Sequence, residues 1–388
     1  MPIDYLHLKS EITKMGSEAL AREEGMQSAL KGLRELLNAR AADIIALQQL
    51  VEEEAQKTKG LRCAVPVSEP LNTHIACPLP APACTILAAD GSQINPDPHD
   101  TVLYGLVNIG VFRMQTGSGL APQQITRSEL IHGDALYIGG TTVSEDLVAL
   151  LRDVHERQIL AELAAPESAP VVTLTDGPLE LYHEPRQEQL FKTYFEQYKA
   201  ALDDLAINEV ITAGYVSRPR ADLVVKLLSL INRTELGNAE ESSVSGLTDI
   251  GLFTGLLAPG ERSAVFRLQS RSSEEYTGHK ALHFFYLNAG TVQQPAFARV
   301  EIPLWVAENP EAVSLLHSIL VEQARSNPAA PYPYPLLRAH EIAIVKLPER
   351  QQVTSMIEAE LLRQGFPPAI KSQKQVNKDY SGRKRLKR

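Results

Sequence analysis

The sequence predicts an α/β protein, a sheet containing parallel strands with covering helices, preceded by a helical extension. Three observations lead there. Short apolar runs alternate with amphipathic segments through the middle of the chain, as in "PVVTLTD", "RQEQLFKTYFEQYKAALDDLA", "NEVITAGYV" and "RADLVVKLLSLI"; this is the alternation that strand–helix–strand units leave in a sequence. Leu30, Leu33, Leu37, Ile44, Leu47 and Val51 recur at helical spacing near the N-terminus. Apolar residues make up 44% of the 388 and charged residues 22%, enough for a core and unlike a disordered chain.

Taken in order, residues 1–60 read as a helical segment, amphipathic and packed on its own domain rather than forming a dimer seam, with Arg40 interrupting the apolar stripe. A Pro-rich connector, 61–84, lacks periodicity and is expected to cross the surface toward the core. "TILAAD" reads as a strand ending on Asp90, "TVLYGLVNIGVFRM" as a strand or hairpin, and "DALYIGG" as a weaker strand. Ser144 is positioned to cap the helix "SEDLVALLRDVHERQILAELAA", with Leu147, Leu150, Leu151, Val154 and Ile159 on one side. Later strands are "SAVFRLQ", "LHFFYLN" and "FARVEIPLWV"; later helices are "PEAVSLLHSILVEQAR", a segment near "PLLRAHEIAIVKL", and "RQQVTSMIEAELLRQ". Residues 367–388 form a basic tail, expected to be disordered.

Charge is unevenly spread. The tail carries Lys371, Lys374, Lys378, Arg383, Lys384, Arg385, Lys387 and Arg388 against Asp379, a balance of about +7, which leaves the rest near −16 for a total of −9. That total argues against uniform non-specific binding to nucleic acid. Three cysteines, Cys63, Cys77 and Cys84, form no CxxC pair and fit a reducing cytoplasm. His74 and Cys77 have the spacing of half a metal site, but no second half follows, so they read as loop or core residues. No signal peptide, membrane span or Walker-type phosphate loop is evident, and the expected location is cytoplasmic.

The chemistry is concentrated at two Asp-Gly junctions, Asp90-Gly91 after "TILAA" and Asp176-Gly177 after "VVTLT". Ligands gather at the carboxyl ends of strands. Two carboxylates on neighbouring strands repel each other unless a cation lies between them, and Mg²⁺ or Mn²⁺ takes oxygen ligands. Each junction is also a common turn dipeptide. Arg152 and Glu156 stand four apart on one helix, which makes either a surface ion pair or a Glu156 turned toward the strand ends; Asp153 and Glu162 compete for that role. Tyr332, Tyr334 and His340 follow a proline-constrained approach to a helix, and a histidine beside acidic metal ligands can bind metal or phosphate or shuttle a proton.

"AADGSQ", Arg152 with Glu156, "LTDGPL", "GYVSRPRADLVVKLL", "LTDIGLFTGLLAPGERSAVF" and "YPYPLLRAH" occur in the order seen in NurA-domain nucleases. The chain resembles that family over roughly residues 84 to 350. The resemblance implies an RNase H-like mixed sheet flanked by helices over 85–366. It implies divalent-metal chemistry, typically with Mn²⁺ (or Mg²⁺), and single-strand endonuclease with 5′–3′ exonuclease activity on DNA. It also implies a homodimer working with a HerA-type hexameric ATPase in end resection during double-strand-break repair. Carried over residue by residue, Asp90, Glu156 and Asp176 are the expected metal ligands, with Glu162 open as the alternative to Glu156. His340 matches the family's C-terminal histidine, at metal or phosphate, and Tyr332 matches its tyrosine better than Tyr334. Asp249 in "LTDIGLF" reads as structural or interfacial, and Arg218 and Arg220 as phosphate contacts or solvated loop charges. Two competing readings are a catalytically inactive adaptor that clamps DNA for a translocase, and a metal-dependent phosphatase of small molecules.

Overall fold

The computed structural model describes residues 3–138, 141–181, 188–236 and 246–366; the basic tail lies outside them. Helices α1 (Tyr5–Ala39) and α2 (Ile44–Lys57) come first. Strands β1 (Cys63–Pro66), β2 (His74–Ile75), β3 (Thr85–Ile94), β4 (Gly105–Gln115) and β5 (Gln123–Ile131) follow, then the ribbon of β6 (Tyr137–Ile138) and β7 (Thr141–Thr142). The middle alternates as expected, with α3 (Glu145–Ala164), β8 (Val171–Asp176), α4 (Glu188–Ile207), β9 (Ile211–Ser217) and α5 (Leu223–Leu236). Then come α6 (Asp249–Phe253), β10 (Arg262–Ser263), β11 (Phe266–Gln269), β12 (Leu282–Asn288) and β13 (Phe297–Pro303). Helices α7 (Leu304–Ala307), α8 (Pro310–Arg325), α9 (Tyr334–Ala343) and α10 (Leu347–Arg363) close the described chain. No helix among the described residues is long and apolar enough to cross a membrane.

The chain forms two compact units. One comprises Met1–Pro82, Gly177–Glu180 and Ala213–Pro333; the other comprises Ala83–Asp176, Leu181–Thr212 and Tyr334–Arg388. In the first, antiparallel strands run in the order β1-β11-β12-β13, with the Ala213–Ser217 part of β9 beside β13. β12 and β13 are buried along their whole length. The expected single N-terminal helix is broken at residues 40–43, where Arg40 pairs with Asp43 at 3.1 Å. Leu30, Leu33 and Leu37 of α1 and Leu47 and Val51 of α2 are buried, whereas Tyr5, Leu6, Ile12, Met15 and Leu20 are exposed. The Pro-rich segment is more than a surface crossing, because it supplies β1, buried at all four residues and paired with β11.

The second unit holds the strands in the order β5-β4-β3-β8, with the start of β9 beside β8, where the hydroxyls of Thr173 and Thr212 lie 2.9 Å apart. In chain order these are the third, second, first, fourth and fifth strands. β3, β4 and β5 are antiparallel, and β8 returns parallel to β3 after α3. This mixed sheet flanked by helices is the RNase H-like arrangement. Two details differ from the sequence reading. β3 does not end at Asp90 but continues to Ile94 against β4. β5 was not expected; it is polar and exposed along most of its length, so it lacks the apolar signal of a buried strand.

Two glycines set how closely helices approach this sheet. A Cβ at Gly91 would lie 2.4 Å from Arg152 Cγ and 2.7 Å from Glu156 Oε1, so α3 covers that face. A Cβ at Gly110 would lie 2.5 Å from Ala343 N and 2.8 Å from Ala339 O, so the backbone of α9 covers the other. Side chains alternate along a strand. Asp90, paired with Gly110, therefore faces α9, while Gly91 faces α3.

Candidate active site

The parallel register of β3 and β8 runs from Thr85 opposite Val171 to Ala89 opposite Thr175. The paired register ends there, and Asp90 and Asp176 are the next residues on their respective strands. β8 stops at Asp176, whereas β3 goes on. Two of the expected carboxylates thus each follow the last paired residue of neighbouring parallel strands.

α9 supplies the imidazole. His340 Nδ1 lies 2.6 Å from Asp90 Oδ2, and the other Asp90 oxygen accepts the Gly91 N–H at 2.9 Å. The His340 side chain is more than half exposed, so it meets solvent while touching the carboxylate. The position of α9 is fixed at its end, where Ala343 O accepts from both Ser92 Oγ, at 2.5 Å, and Asn108 Nδ2, at 2.7 Å. Asn108 Oδ1 in turn accepts from Ser128 Oγ at 2.6 Å.

α3 supplies the third carboxylate. Ser144 caps it by accepting from Leu147 N at 3.2 Å, and Glu156 is buried on the face toward β3. Burial first, then the charges of Asp153 and Asp90, push its carboxyl well above the ordinary range, against the opposing pull of Arg152 and Arg157. Arg152 Nε is 3.6 Å from Glu156 Oε1, too far for a hydrogen bond, and Glu156 accepts none among the described residues. Arg152 instead binds Asp153 through Nε at 3.1 Å and Nη2 at 2.8 Å. Burial disfavours the Arg152 charge, but Asp153, Glu156 and Asp90 outweigh it and hold the guanidinium above its ordinary value. Arg157, fully buried, donates to Thr175 Oγ1 at 2.9 Å, which ties α3 to β8 one residue before Asp176.

The remaining candidates are elsewhere. Glu162 is exposed and bidentate with Arg127 at 2.7 and 2.8 Å. Tyr332 belongs to the first unit, its ring edge-on to Tyr215 at 5.6 Å; Tyr334 belongs to the second, edge-on to Phe112. Asp249 is structural. It is fully buried in the first unit, accepts the first-turn N–H groups of α5 from Val224 and Val225 and the Tyr286 hydroxyl, and is pushed up to about 6 by burial. His74 stands 3.5 Å from Glu261, and burial raises the Cys77 thiol to about 11, which suits a structural residue. The sequence reading missed Ser92, Asn108 and Gly110. Of these only Gly110, inside an apolar strand, carries a signal, since a mid-strand glycine marks close backbone approach.

The donor set suits a hard divalent cation. Asp90, Asp176 and Glu156 offer oxygen, and Glu156 is a buried carboxyl that accepts no hydrogen bond among the described residues and has Arg152 as its ion-pair partner at 3.6 Å. Among the described residues no group of three or more His, Cys, Asp or Glu side chains is already arranged to hold a metal. Mg²⁺-type sites commonly use one or two carboxylates and complete the shell with water and substrate phosphate.

A search of curated proteins returns no match. Among solved structures, the NurA nuclease from Sulfolobus solfataricus is similar at TM-score 0.49 and 12% identity, covering 86% of this chain and 97% of that one. The catalytic domain of human endonuclease V is similar at 0.32 and 15%, covering 80% and 97%. A type 1 RNase H, LC9-RNase H1, is similar at 0.21 and 12%, covering 42% and 77%. The NurA domain model matches residues 84–345, a stretch that contains Asp90, Glu156, Asp176, Tyr332 and His340. The chain belongs to the NurA-domain family.

Proposed function

We propose that the chain is a divalent-metal-dependent DNA nuclease that hydrolyses phosphodiester bonds. The observation that supports this reading is the 2.6 Å contact of His340 with Asp90, on a strand whose parallel neighbour ends at Asp176 and whose Gly91 is covered by the helix bearing the buried Glu156. Asp90, Glu156 and Asp176 would hold Mn²⁺ or Mg²⁺, with His340 beside them. Such a cation supplies charge neutralisation at the phosphate and a more acidic water.

The chain's own residues have separable tasks. Asp90 orients His340 through the 2.6 Å contact. His340 would take or return a proton at the attacking or leaving oxygen, or contact the phosphate, from its solvent-facing side. Glu156, desolvated beneath Gly91, is a carboxyl whose charged form burial disfavours and a bound cation would favour. In the overall reaction water adds to phosphorus, the bond to the leaving ester oxygen breaks, and that oxygen acquires the proton.

The finer reading is single-strand endonuclease and 5′–3′ exonuclease activity in double-strand-break end resection, by a homodimer partnered with a HerA-type ATPase. It is supported by family membership and the site's composition. The test is cleavage of single-stranded and duplex-end DNA with and without Mn²⁺, comparing the wild type with a folded Asp90→Ala variant. Manganese-dependent cutting lost in the variant supports the proposal. Equal cutting by both refutes the site, and DNA binding without any cutting makes the chain an adaptor.

A further inference from the structure

The carboxylates of this site surround one guanidinium, and its bonding is incomplete. Arg152 lies on α3 with its Cγ and Cδ over Gly91, where any larger residue would displace it. Asp153 engages Nε and Nη2. Glu156 is 3.6 Å away, beyond hydrogen-bond reach. Nη1 donates to no protein atom among the described residues, and the side chain is about one-third exposed. A guanidinium that served only to neutralise Glu156 would turn its planar fork toward that carboxylate, because the bidentate geometry is the strong one. Here the fork is given to Asp153, the residue next to it in sequence, with Nε the nitrogen nearest Glu156, which leaves Nη1 as the uncommitted donor of a guanidinium that packs over Gly91, next to Asp90.

We propose that Arg152 is a catalytic residue that donates from Nη1 to a non-bridging oxygen of the scissile phosphodiester, with Asp153 as the positioning residue that fixes the guanidinium plane. This rests on the nuclease reading above. The chemistry it recognises is a phosphate oxygen, which becomes more negative as water adds to phosphorus, so the contact strengthens toward the transition state. Arginine suits the task because it remains charged among partly buried groups and keeps a fixed fork, with one edge held and the other presented. Gly91 is then required for a second reason, to leave the space through which the Arg152 stem passes.

The experiment compares wild type, Arg152→Gln, Arg152→Ala and Asp153→Asn by three measurements: steady-state cleavage of a single-stranded oligonucleotide, binding of that oligonucleotide in EDTA by fluorescence anisotropy, and Mn²⁺ affinity by electron paramagnetic resonance of the free ion. Circular dichroism confirms folding. Loss of one charge-assisted bond predicts a cleavage rate about 10- to 100-fold lower for Arg152→Gln, with Mn²⁺ affinity unchanged. It also predicts weaker metal-free DNA binding and partial rescue of Arg152→Ala by millimolar guanidinium. Asp153→Asn, which keeps the arginine, should fall between wild type and Arg152→Gln. Wild-type kcat and KM in Arg152→Gln overturn the proposal. So does a loss that extra Mn²⁺ fully restores, since Arg152 would then act only on the metal. Absence of Mn²⁺-dependent cleavage by the wild type overturns the nuclease reading itself, and this inference with it.

Discussion

His340 Nδ1 meets Asp90 Oδ2 at 2.6 Å across 250 positions of sequence. The contact joins a helix on one face of the sheet to the strand beneath it, and its geometry depends on Gly110, the cross-strand partner of Asp90. His340→Gln keeps a polar side chain but removes the titrating group. Its cleavage rate should fall by about 100-fold or more, within the usual range for positioned acid–base catalysis. Single-turnover cleavage of single-stranded DNA with Mn²⁺ measures it, and a rate within threefold of wild type would remove His340 from the mechanism.

Glu156 and Glu162 lie on the same helix but differ in environment. Glu156→Gln should abolish most metal-dependent cleavage. Glu162→Gln should leave cleavage near wild type and change stability by less than about 1 kcal/mol, because it breaks only an exposed pair with Arg127. Comparing the two variants in one assay decides which carboxylate serves the site.

Gly110→Ala tests the seat of α9. The added methyl would meet backbone atoms at 2.5 to 2.9 Å, which cannot rotate away, so strand and helix must separate. Overpacking of this kind costs about 1–3 kcal/mol. The denaturation midpoint should drop accordingly, and cleavage should drop more than the unfolded fraction explains, since His340 moves with the helix.

Asp249 gives a pH prediction away from the site. Its carboxyl is raised by burial to about 6 from an ordinary 3.8, so the folded state holds a proton that the unfolded state has released. Stability from this group is fully present below about 3.8 and is lost as pH rises through about 6, an effect of about 3 kcal/mol. His317 acts oppositely over an overlapping range: burial lowers it to about 4, so its contribution is lost as pH falls below its ordinary 6.5. The wild-type profile mixes the two, and the difference from Asp249→Asn isolates one. That variant should gain stability relative to wild type between pH 4 and 7 in urea titrations; a constant difference across the range would contradict the assignment.

Much of the second unit was readable because its elements obey simple periods. The predicted strand "PVVTLTD" is β8 less its leading proline, and the Ser144 cap opens α3 where expected. Of the candidate residues, Asp90 and His340 are in contact, Glu156 is buried on the helix that covers Gly91, and Asp176 ends the strand parallel to β3. What was not readable has a common cause, namely partners remote in sequence. Ser92 and Asn108 anchor α9 through Ala343 O at separations of 251 and 235 residues, which no local pattern encodes. Gly91-Ser92-Gln93 looked like a turn because its side chains are short or polar, yet pairing with β4 keeps it extended. β5 escaped because an exposed strand has no apolar face, and β1 because prolines masked a buried run of four.

The unequal burial along α1 bears on how the chain tolerates truncation. Each buried side chain of this helix lies at or after Leu30, while Tyr5, Leu6, Ile12, Met15 and Leu20 face solvent. The turns before Met26 bury no side chain and rest chiefly on local hydrogen bonding, a regime in which helices exchange their amide protons readily. A chain trimmed to begin at Met26 keeps the same core contacts from α1. The leading turns thus form an arm that contributes no buried side chain to the core.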